Sequence, residues 1–203
     1  MMDPEEIFYG LCRYYSSLGI VDEINWSAWS LRTLSYFDNL GRMLGYQVNT
    51  EDTYTKKDED EWEVPKYLRK KRIDLTWREI NTDLYKLALE HQGSSDLDQI
   101  KLDMKKLIFI GGLRVLILYN QDMEKVEKWL IKYIKKYEMD GLFMLITFPH
   151  YFTIEESIKK LRARLYNNTG TLISEGTAEG RMESSTGLLF FSNANWRTLS
   201  ASS

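Results

Sequence analysis

Apolar residues in the first part of the chain recur at the spacing of amphipathic helices. Residues 4–18 open with proline and two acids, which favour a helix N-terminus, and carry an apolar stripe of Ile7, Leu11, Tyr14, Tyr15 and Leu18. Residues 27–44 predict a second helix that ends at Gly45 and turns inward Leu31, Leu34, Phe37 and Leu40. The chain therefore begins with two predicted helices.

The middle of the chain predicts strands first, and then helices that alternate with strands. Three strands are expected at 46–51, 72–78 and 84–92. Further helices are expected at 96–110, 122–138 and 153–166, and buried strands at 113–120 and 142–148. Because a strand, helix and strand in succession favour parallel pairing, we expect a mixed α/β fold with parallel strands in its centre.

The composition changes after residue 166. Gly, Ser, Thr and Asn dominate residues 167–203, apart from two apolar islands at 171–174 and 187–193. This part could be an arm, a hairpin or a dimerisation element. We therefore expect one α/β domain over residues 1–166 and a C-terminal arm or hairpin extension over 167–203.

Composition and charge exclude several classes of protein. The 203 residues carry a net charge of −3, so DNA binding would have to depend on local basic patches such as residues 66–72. One cysteine and two histidines, His91 and His150, argue against a disulfide framework and a zinc cluster. No apolar run reaches the roughly 20 residues of a membrane helix, so we expect a cytoplasmic protein without a membrane partner.

Two predicted strands bring acidic side chains into one region. Asp74 alternates with Ile73, Leu75 and Trp77 in the first strand, and Glu90 and Gln92 share a face with Ala88 in the second. If the two strands pair, the carboxylates of Asp74 and Glu90 converge. Two carboxylates and a carbonyl oxygen suit Mg²⁺ or Mn²⁺.

The predicted order of elements resembles the core of the PD-(D/E)xK nuclease superfamily. This order is a helix, a three-strand meander with D…E-x-(K/Q), a second helix and a further strand. The resemblance spans about residues 27–120 and includes DMKKL at 103–107, which is similar to a D-x-x-K-L run in such nucleases. Among members, the layout looks most like archaeal and archaeal-virus nucleases related to Holliday-junction resolvases and restriction enzymes. The resemblance implies a restriction-endonuclease-like core with an added strand and helix.

The resemblance also implies roles for individual residues. Asp74 and Glu90 would be metal ligands, the backbone carbonyl of His91 would be a third, and Gln92 would orient the attacking water. This chain departs from the family pattern twice, because Ile73 replaces the usual proline and Gln92 replaces the lysine. Lys106 could supply the missing positive charge, since it shares a helix face with Gln99 and Asp103. Asp38, from the helix before the meander, is an additional candidate ligand.

The expected function is that of a Mg²⁺-dependent DNA endonuclease, with branched DNA among the candidate substrates. We expect a homodimer, because two symmetric sites can cut both strands of a duplex. A catalytically inactive nuclease-like module that binds nucleic acid or protein is the alternative, since Gln92 carries no charge. A purely structural assembly protein is a third interpretation. For residues 127–137, which are basic and amphipathic, we favour a helix packed on the core.

Overall fold

The computed structural model describes residues 3–17, 26–53, 72–92, 96–108, 110–119, 123–148, 159–182 and 189–199. Its helices are α1 (Pro4–Ser17), α2 (Trp26–Met43), α3 (Leu97–Ile108) and α4 (Met123–Tyr137). Its strands are β1 (Gln47–Thr53), β2 (Arg72–Arg78), β3 (Tyr85–Gln92), β4 (Leu113–Tyr119), β5 (Leu142–Phe148), β6 (Lys159–Tyr166), β7 (Leu172–Met182) and β8 (Leu189–Thr198). Within these ranges, no helix is long and apolar enough to cross a membrane.

All eight described strands form one mostly antiparallel sheet, and they follow one another in sequence order from β1 to β8. The strands β1, β2 and β3 form an antiparallel meander. The strands β3, β4 and β5 are parallel to one another, which confirms the pairing predicted from the alternation of strands and helices. From β5 to β8 each pair is antiparallel again.

One face of the sheet packs against α1 and α2. The α1 side chains Ile7, Phe8 and Leu11 are fully buried there, together with Leu75 and Trp77 of β2. The Trp77 indole donates a hydrogen bond to the Phe37 carbonyl of α2 at 3.0 Å. Helix α2 therefore lies over β1 and β2 on this face.

The opposite face packs against α3 and α4. Its apolar core contains Ala88 of β3 with side chains from both helices and from β4 and β5, including Ile100, Met104, Leu107, Leu116, Val126, Leu130 and Leu145. Ile73 also packs in this second core, so the prediction that it shares a face with Leu75 and Trp77 was wrong. Ile73 lies next to the start of β2, where it contacts the second core. Helices α2 and α3 thus lie on opposite faces.

The buried stripe of α2 agrees with the predicted one except at Leu31. Phe37 is fully buried, and Leu34 and Leu40 are partly buried against the first core, as predicted. Leu31 is 65% exposed, and Thr33 and Tyr36 are buried in addition. The Tyr36 hydroxyl donates to the Ile7 carbonyl at 3.0 Å, and Thr33 is hydrogen-bonded to Tyr15. Because α1 offers polar partners to Thr33 and Tyr36, the buried side of α2 includes these two polar side chains, while Leu31 lies in solvent.

The helix predicted over 153–166 was wrong for the residues that the structure describes, because Lys159–Tyr166 forms β6. Leu161, Ala163 and Leu165 alternate with charged residues and are all buried in the first core. Leu161 and Leu165 are four residues apart, a spacing that fits a helix as well as a strand. Hydrogen-bonded pairing with β5 and β7 stabilises the strand.

The C-terminal region contributes β7 and β8 to the same sheet. Of the apolar islands, Leu172, Ile173 and Phe191 pack against the chain's own cores, and Phe190 stays 40% exposed. Helix α1 covers this part of the sheet. The Phe191 backbone N–H donates to Ser16 Oγ at 2.9 Å, and the Phe8 and Trp196 rings lie 5.6 Å apart.

Candidate functional site

The register of β2 and β3 places Asp74 opposite Glu90. Leu75 pairs with Leu89 and Thr76 with Ala88, and one further step along both strands reaches the two acids. Opposite residues of an antiparallel pair project from the same face. The Asp74 Oδ2 atom also accepts a hydrogen bond from the His91 backbone N–H at 2.8 Å. Asp74 therefore fixes the end of β3 beside Glu90.

Glu90 is a buried carboxylate, only 1% exposed. Its Oε2 lies 2.6 Å from Lys106 Nζ, whereas its Oε1 is buried without a hydrogen-bond partner among the described residues. Burial, and then the neighbouring charge of Asp74, raise the pKa of Glu90 well above its usual value despite the opposing effect of Lys106. The site thus contains an acceptor oxygen that attracts either a proton or a cation.

Asp103 is the centre of the hydrogen-bond network around Lys106. Its Oδ1 lies 2.9 Å from Lys106 Nζ and accepts from Gln99 Nε2 at 3.0 Å, and its Oδ2 accepts from Gln92 Nε2 at 2.7 Å. A carboxylate only accepts, so the amide nitrogens of both glutamines must face it. Asp103 therefore holds Lys106 and Gln92 in place.

Packing and a buried arginine fix α3 relative to β3 and β4. Ile100, Met104 and Leu107 are fully buried, which turns Asp103 and Lys106 towards the sheet. Arg114 of β4, 3% exposed, donates from Nε to the Leu107 carbonyl at 2.9 Å. This bond satisfies a carbonyl in the last turn of α3, which has no partner within the helix.

Lys106 remains charged in this environment. Burial lowers the pKa of Lys106, but Glu90 and Asp103 raise it more, so the net shift is upward. The ammonium lies between two buried carboxylates, of which Glu90 is 2% and Asp103 4% exposed at the side chain. With Asp74 the site has three acidic groups and one cation, and a second cation would favour the ionised form of Glu90 that burial and Asp74 oppose.

The described residues offer a divalent cation two carboxylate ligands, but not a complete set of side-chain ligands. The Glu90 Oε1 and the Asp74 carboxylate are hard oxygen donors on adjacent strands. No group of three or more His, Cys, Asp and Glu side chains in the described ranges has the arrangement of a metal site. A metal here would accordingly need backbone or water oxygens beside these two carboxylates, and the His91 carbonyl follows Glu90 directly along β3.

His91 contributes through its backbone. Burial lowers the pKa of its imidazole to about 4, so the side chain is neutral at neutral pH. On β3 it alternates with Glu90 and so points to the other face of the sheet. Its N–H bond to Asp74 is the contact that links it to the carboxylates.

Asp38 is not brought to the other candidate ligands. It pairs with Arg42 on α2 at 2.9 Å, on the face of the sheet opposite α3. The charges that act on Glu90 come from Asp74, Lys106 and Asp103. The suggestion that Asp38 completes the site therefore has no support from its position.

Asp103 and Gln99 are the functional candidates to which the sequence analysis gave no role. Their signal was present, since Gln99, Asp103 and Lys106 are spaced to share one helix face beside an apolar stripe. A strand glutamine two residues after Glu90 adds a further donor within reach.

Several sequence features lie outside the described residues. These are most of the basic segment at 66–72, most of the acidic segment at 51–63, and His150. The predicted helix at 127–137 is part of α4, whose Leu130 and Ile134 are buried while its lysines face solvent, as expected.

Comparisons with protein-family models, with curated proteins and with solved structures found no match to this chain.

Proposed function

We propose that this protein is a metal-dependent DNA endonuclease of the PD-(D/E)xK type that hydrolyses phosphodiester bonds. The observation that carries the proposal is the cluster in which partly buried Asp74 lies beside buried Glu90 and Lys106. A buried glutamate oxygen that has no hydrogen-bond partner among the described residues and lies beside a second carboxylate destabilises the folded state. Groups with such perturbed ionisation are common at functional sites.

The order of elements supports a restriction-endonuclease-like core. Helix α2, the β1–β2–β3 meander, helix α3 and strand β4 follow one another in the order described for that core. The β3 and β4 strands are parallel, and the acids lie on β2 and β3 as the nuclease pattern requires. The strands β5 to β8 with α1 and α4 would then be additions.

In this proposal Asp74, Glu90 and the His91 carbonyl hold Mg²⁺ or Mn²⁺. A bound divalent ion would polarise the phosphate and lower the pKa of a water molecule. Lys106 would supply the positive charge that the strand lysine supplies in the family, and its Nζ lies 2.6 Å from Glu90 Oε2. Asp103 acts as a positioning residue, because it holds both Lys106 and Gln92.

Gln92 has a more limited part than the nuclease pattern suggests. Gln92 donates an amide hydrogen to Asp103, so any role in orienting water would have to coexist with this bond. The same engagement is the observation that favours the alternative of a non-catalytic binding module. In that module the cluster would only join α3 to β3.

Metal titration and cleavage assays test the proposal. Mn²⁺ should bind the wild type in calorimetry and should not bind Asp74→Asn or Glu90→Gln. Asp98→Asn is a matched control on α3, because the Asp98 side chain is 88% exposed and removing its charge leaves the cluster intact. Equal Mn²⁺ binding by the wild type and Glu90→Gln would contradict the assigned ligands.

Cleavage is measured in single turnover on duplex and four-way-junction DNA with Mg²⁺ or Mn²⁺. We expect cleavage by the wild type and Asp98→Asn, and a loss of about 10²-fold or more in Asp74→Asn. Metal binding without cleavage of either substrate would favour the non-catalytic module.

A further inference from the structure

The part of the sheet formed by β6 and β7 carries cationic side chains on an open face. Leu161, Ala163 and Leu165 pack in the first core, so Lys160 and Arg162 project from the opposite face. That face is covered by α3 and α4 over the centre of the sheet. Lys160 and Arg162 are both exposed, so the helices do not cover this part.

These two cations are available for a ligand. Farther along β6, Arg164 is bound to Glu127 of α4. Lys160 and Arg162 form no ion pair with any residue in the described ranges. Glu179, opposite Lys160 on β7, accepts instead from Asn193 Nδ2 at 2.8 Å.

A third cation extends the same surface. Gly176 and Ala178 of β7 lie towards the first core, so Arg181 projects from the same face as Lys160 and Arg162. Its side chain is 62% exposed and approaches Glu179 only to 4.0 Å. We call Lys160, Arg162 and Arg181 the basic strip.

The basic strip and the carboxylates lie near the same strand ends of the sheet, where β3, β4 and β5 finish. Glu90 is near the end of β3, which is parallel to β4 and β5. Strand β6 is antiparallel to β5, with Arg162 opposite Thr147, so its first residues lie where β3, β4 and β5 end. Arg181, near the end of β7, lies beside the start of β6 and therefore near the same strand ends.

The distance between the carboxylates on β3 and the cations on β6 suits a nucleic-acid strand. Three strand spacings separate β3 from β6, which is roughly 14 Å at about 4.8 Å per spacing. One strand of duplex DNA places a phosphate about every 3.4 Å along the axis, so roughly four phosphates span this distance. Because the chain has a net charge of −3, a local cluster of exposed cations is the more informative feature for nucleic-acid binding.

We propose that the basic strip binds backbone phosphates of a DNA duplex whose neighbouring phosphodiester lies at the Asp74–Glu90 carboxylates. The inference rests on the proposed function, because the carboxylates mark the end of the path that the DNA follows. The strip contributes affinity without base specificity, since it contacts phosphates alone. It extends the substrate contact across β3 to β7.

The test is DNA binding in EDTA, which requires no metal and permits no metal-dependent cleavage. Fluorescence anisotropy with a 30-base-pair labelled duplex is measured between 50 and 200 mM NaCl for the wild type and Lys160→Gln/Arg162→Gln. Losing two phosphate contacts should flatten the slope of log affinity against log salt by about two. It should also weaken binding by up to roughly 60-fold at 100 mM salt, since each contact contributes a factor of about 8 relative to 1 M salt.

The control variant Lys132→Gln/Lys135→Gln removes the same charge from α4. Lys132 and Lys135 are exposed in the second half of α4, which leads to the start of β5. The carboxylates lie near the other end of the parallel strands. We expect the control to keep the wild-type slope, and both variants to keep the wild-type Tm. Equal slopes for the wild type and the strip variant would overturn the proposal, as would equal losses in both variants or no binding by the wild type.

The two proposals can fail separately. A flattened slope in the strip variant, combined with full cleavage by Asp74→Asn, would support the DNA surface and reject the assigned metal ligands. Metal-dependent cleavage that needs Asp74, combined with an unchanged slope in the strip variant, would reject the DNA surface alone.

Discussion

Replacing Lys106 with methionine should destabilise the protein strongly, and more so at high pH. Lys106 contacts Glu90 at 2.6 Å and Asp103 at 2.9 Å, and all three side chains are at most 7% exposed. Removing one partner of a buried ion pair leaves an uncompensated charge, which costs about 3–5 kcal/mol. Set against a typical stability of about 5–15 kcal/mol, the variant should fold with a much smaller margin.

The pH dependence follows from Glu90. The pKa of Glu90 in the folded state is raised, so the folded state holds a proton that the unfolded state has released. Such a group stabilises the fold most below its unfolded pKa of about 4.3, and this contribution is lost as pH rises towards the folded pKa. Lys106 lowers the pKa of Glu90, so its removal should raise that pKa further and extend the decline in stability to higher pH.

The assay is urea unfolding in EDTA at pH 5.5 and pH 8.0, followed by far-ultraviolet circular dichroism. Lys101→Met is a control on the same helix, because Lys101 pairs with Asp98 at the surface and should keep a urea midpoint near that of the wild type. An unfolding free energy that falls by less than about 1 kcal/mol in Lys106→Met, or by the same amount at both pH values, would refute this reasoning.

Three further predictions concern other parts of the molecule. Gly41→Ala should lower the unfolding free energy by about 1–3 kcal/mol, because a Cβ there meets the Trp77 indole; an unchanged thermal midpoint would contradict this packing. Cys12 should not react with a thiol reagent in the native state at pH 8, because burial raises the pKa of its thiol to about 12; stoichiometric labelling within seconds would show that α1 is open. The homodimer stays a prediction, and a sedimentation mass of 24.0 kDa at micromolar concentration would argue against it.

The strands around the candidate site could be predicted because their patterns are local. Alternation in β2 and β3 was enough to place Asp74, Glu90 and Gln92, and helical spacing was enough to place Lys106 beside Asp103. The distance from Lys106 to Glu90 could not be derived from the sequence, because it depends on how deeply α3 packs on β3.

The errors arose where tertiary contacts decide between two local solutions. Residues 159–166 satisfy both a helical and a strand pattern, and neighbouring strands select the strand. Leu31 fits the apolar stripe of α2 but is exposed, because the side of the helix that contacts α1 carries Thr33 and Tyr36, which bind α1 by hydrogen bonds. The central position of Asp103 depends on contacts with residues on two elements, which a pattern on one helix does not show.

The sequence order of the strands has a consequence for how quickly the fold can form. Each strand pairs with its immediate predecessor, so every strand pair joins segments that are near in sequence, and closing the connection between them costs limited entropy. The contacts of α1 with later strands are exceptions, and in the contact with β8 Ser16 and Phe191 are 175 residues apart. Until β8 joins the sheet, the apolar side of α1 lacks part of its partner surface. The docking of α1 on β8 is therefore expected late in folding, after the transition state for the central strands.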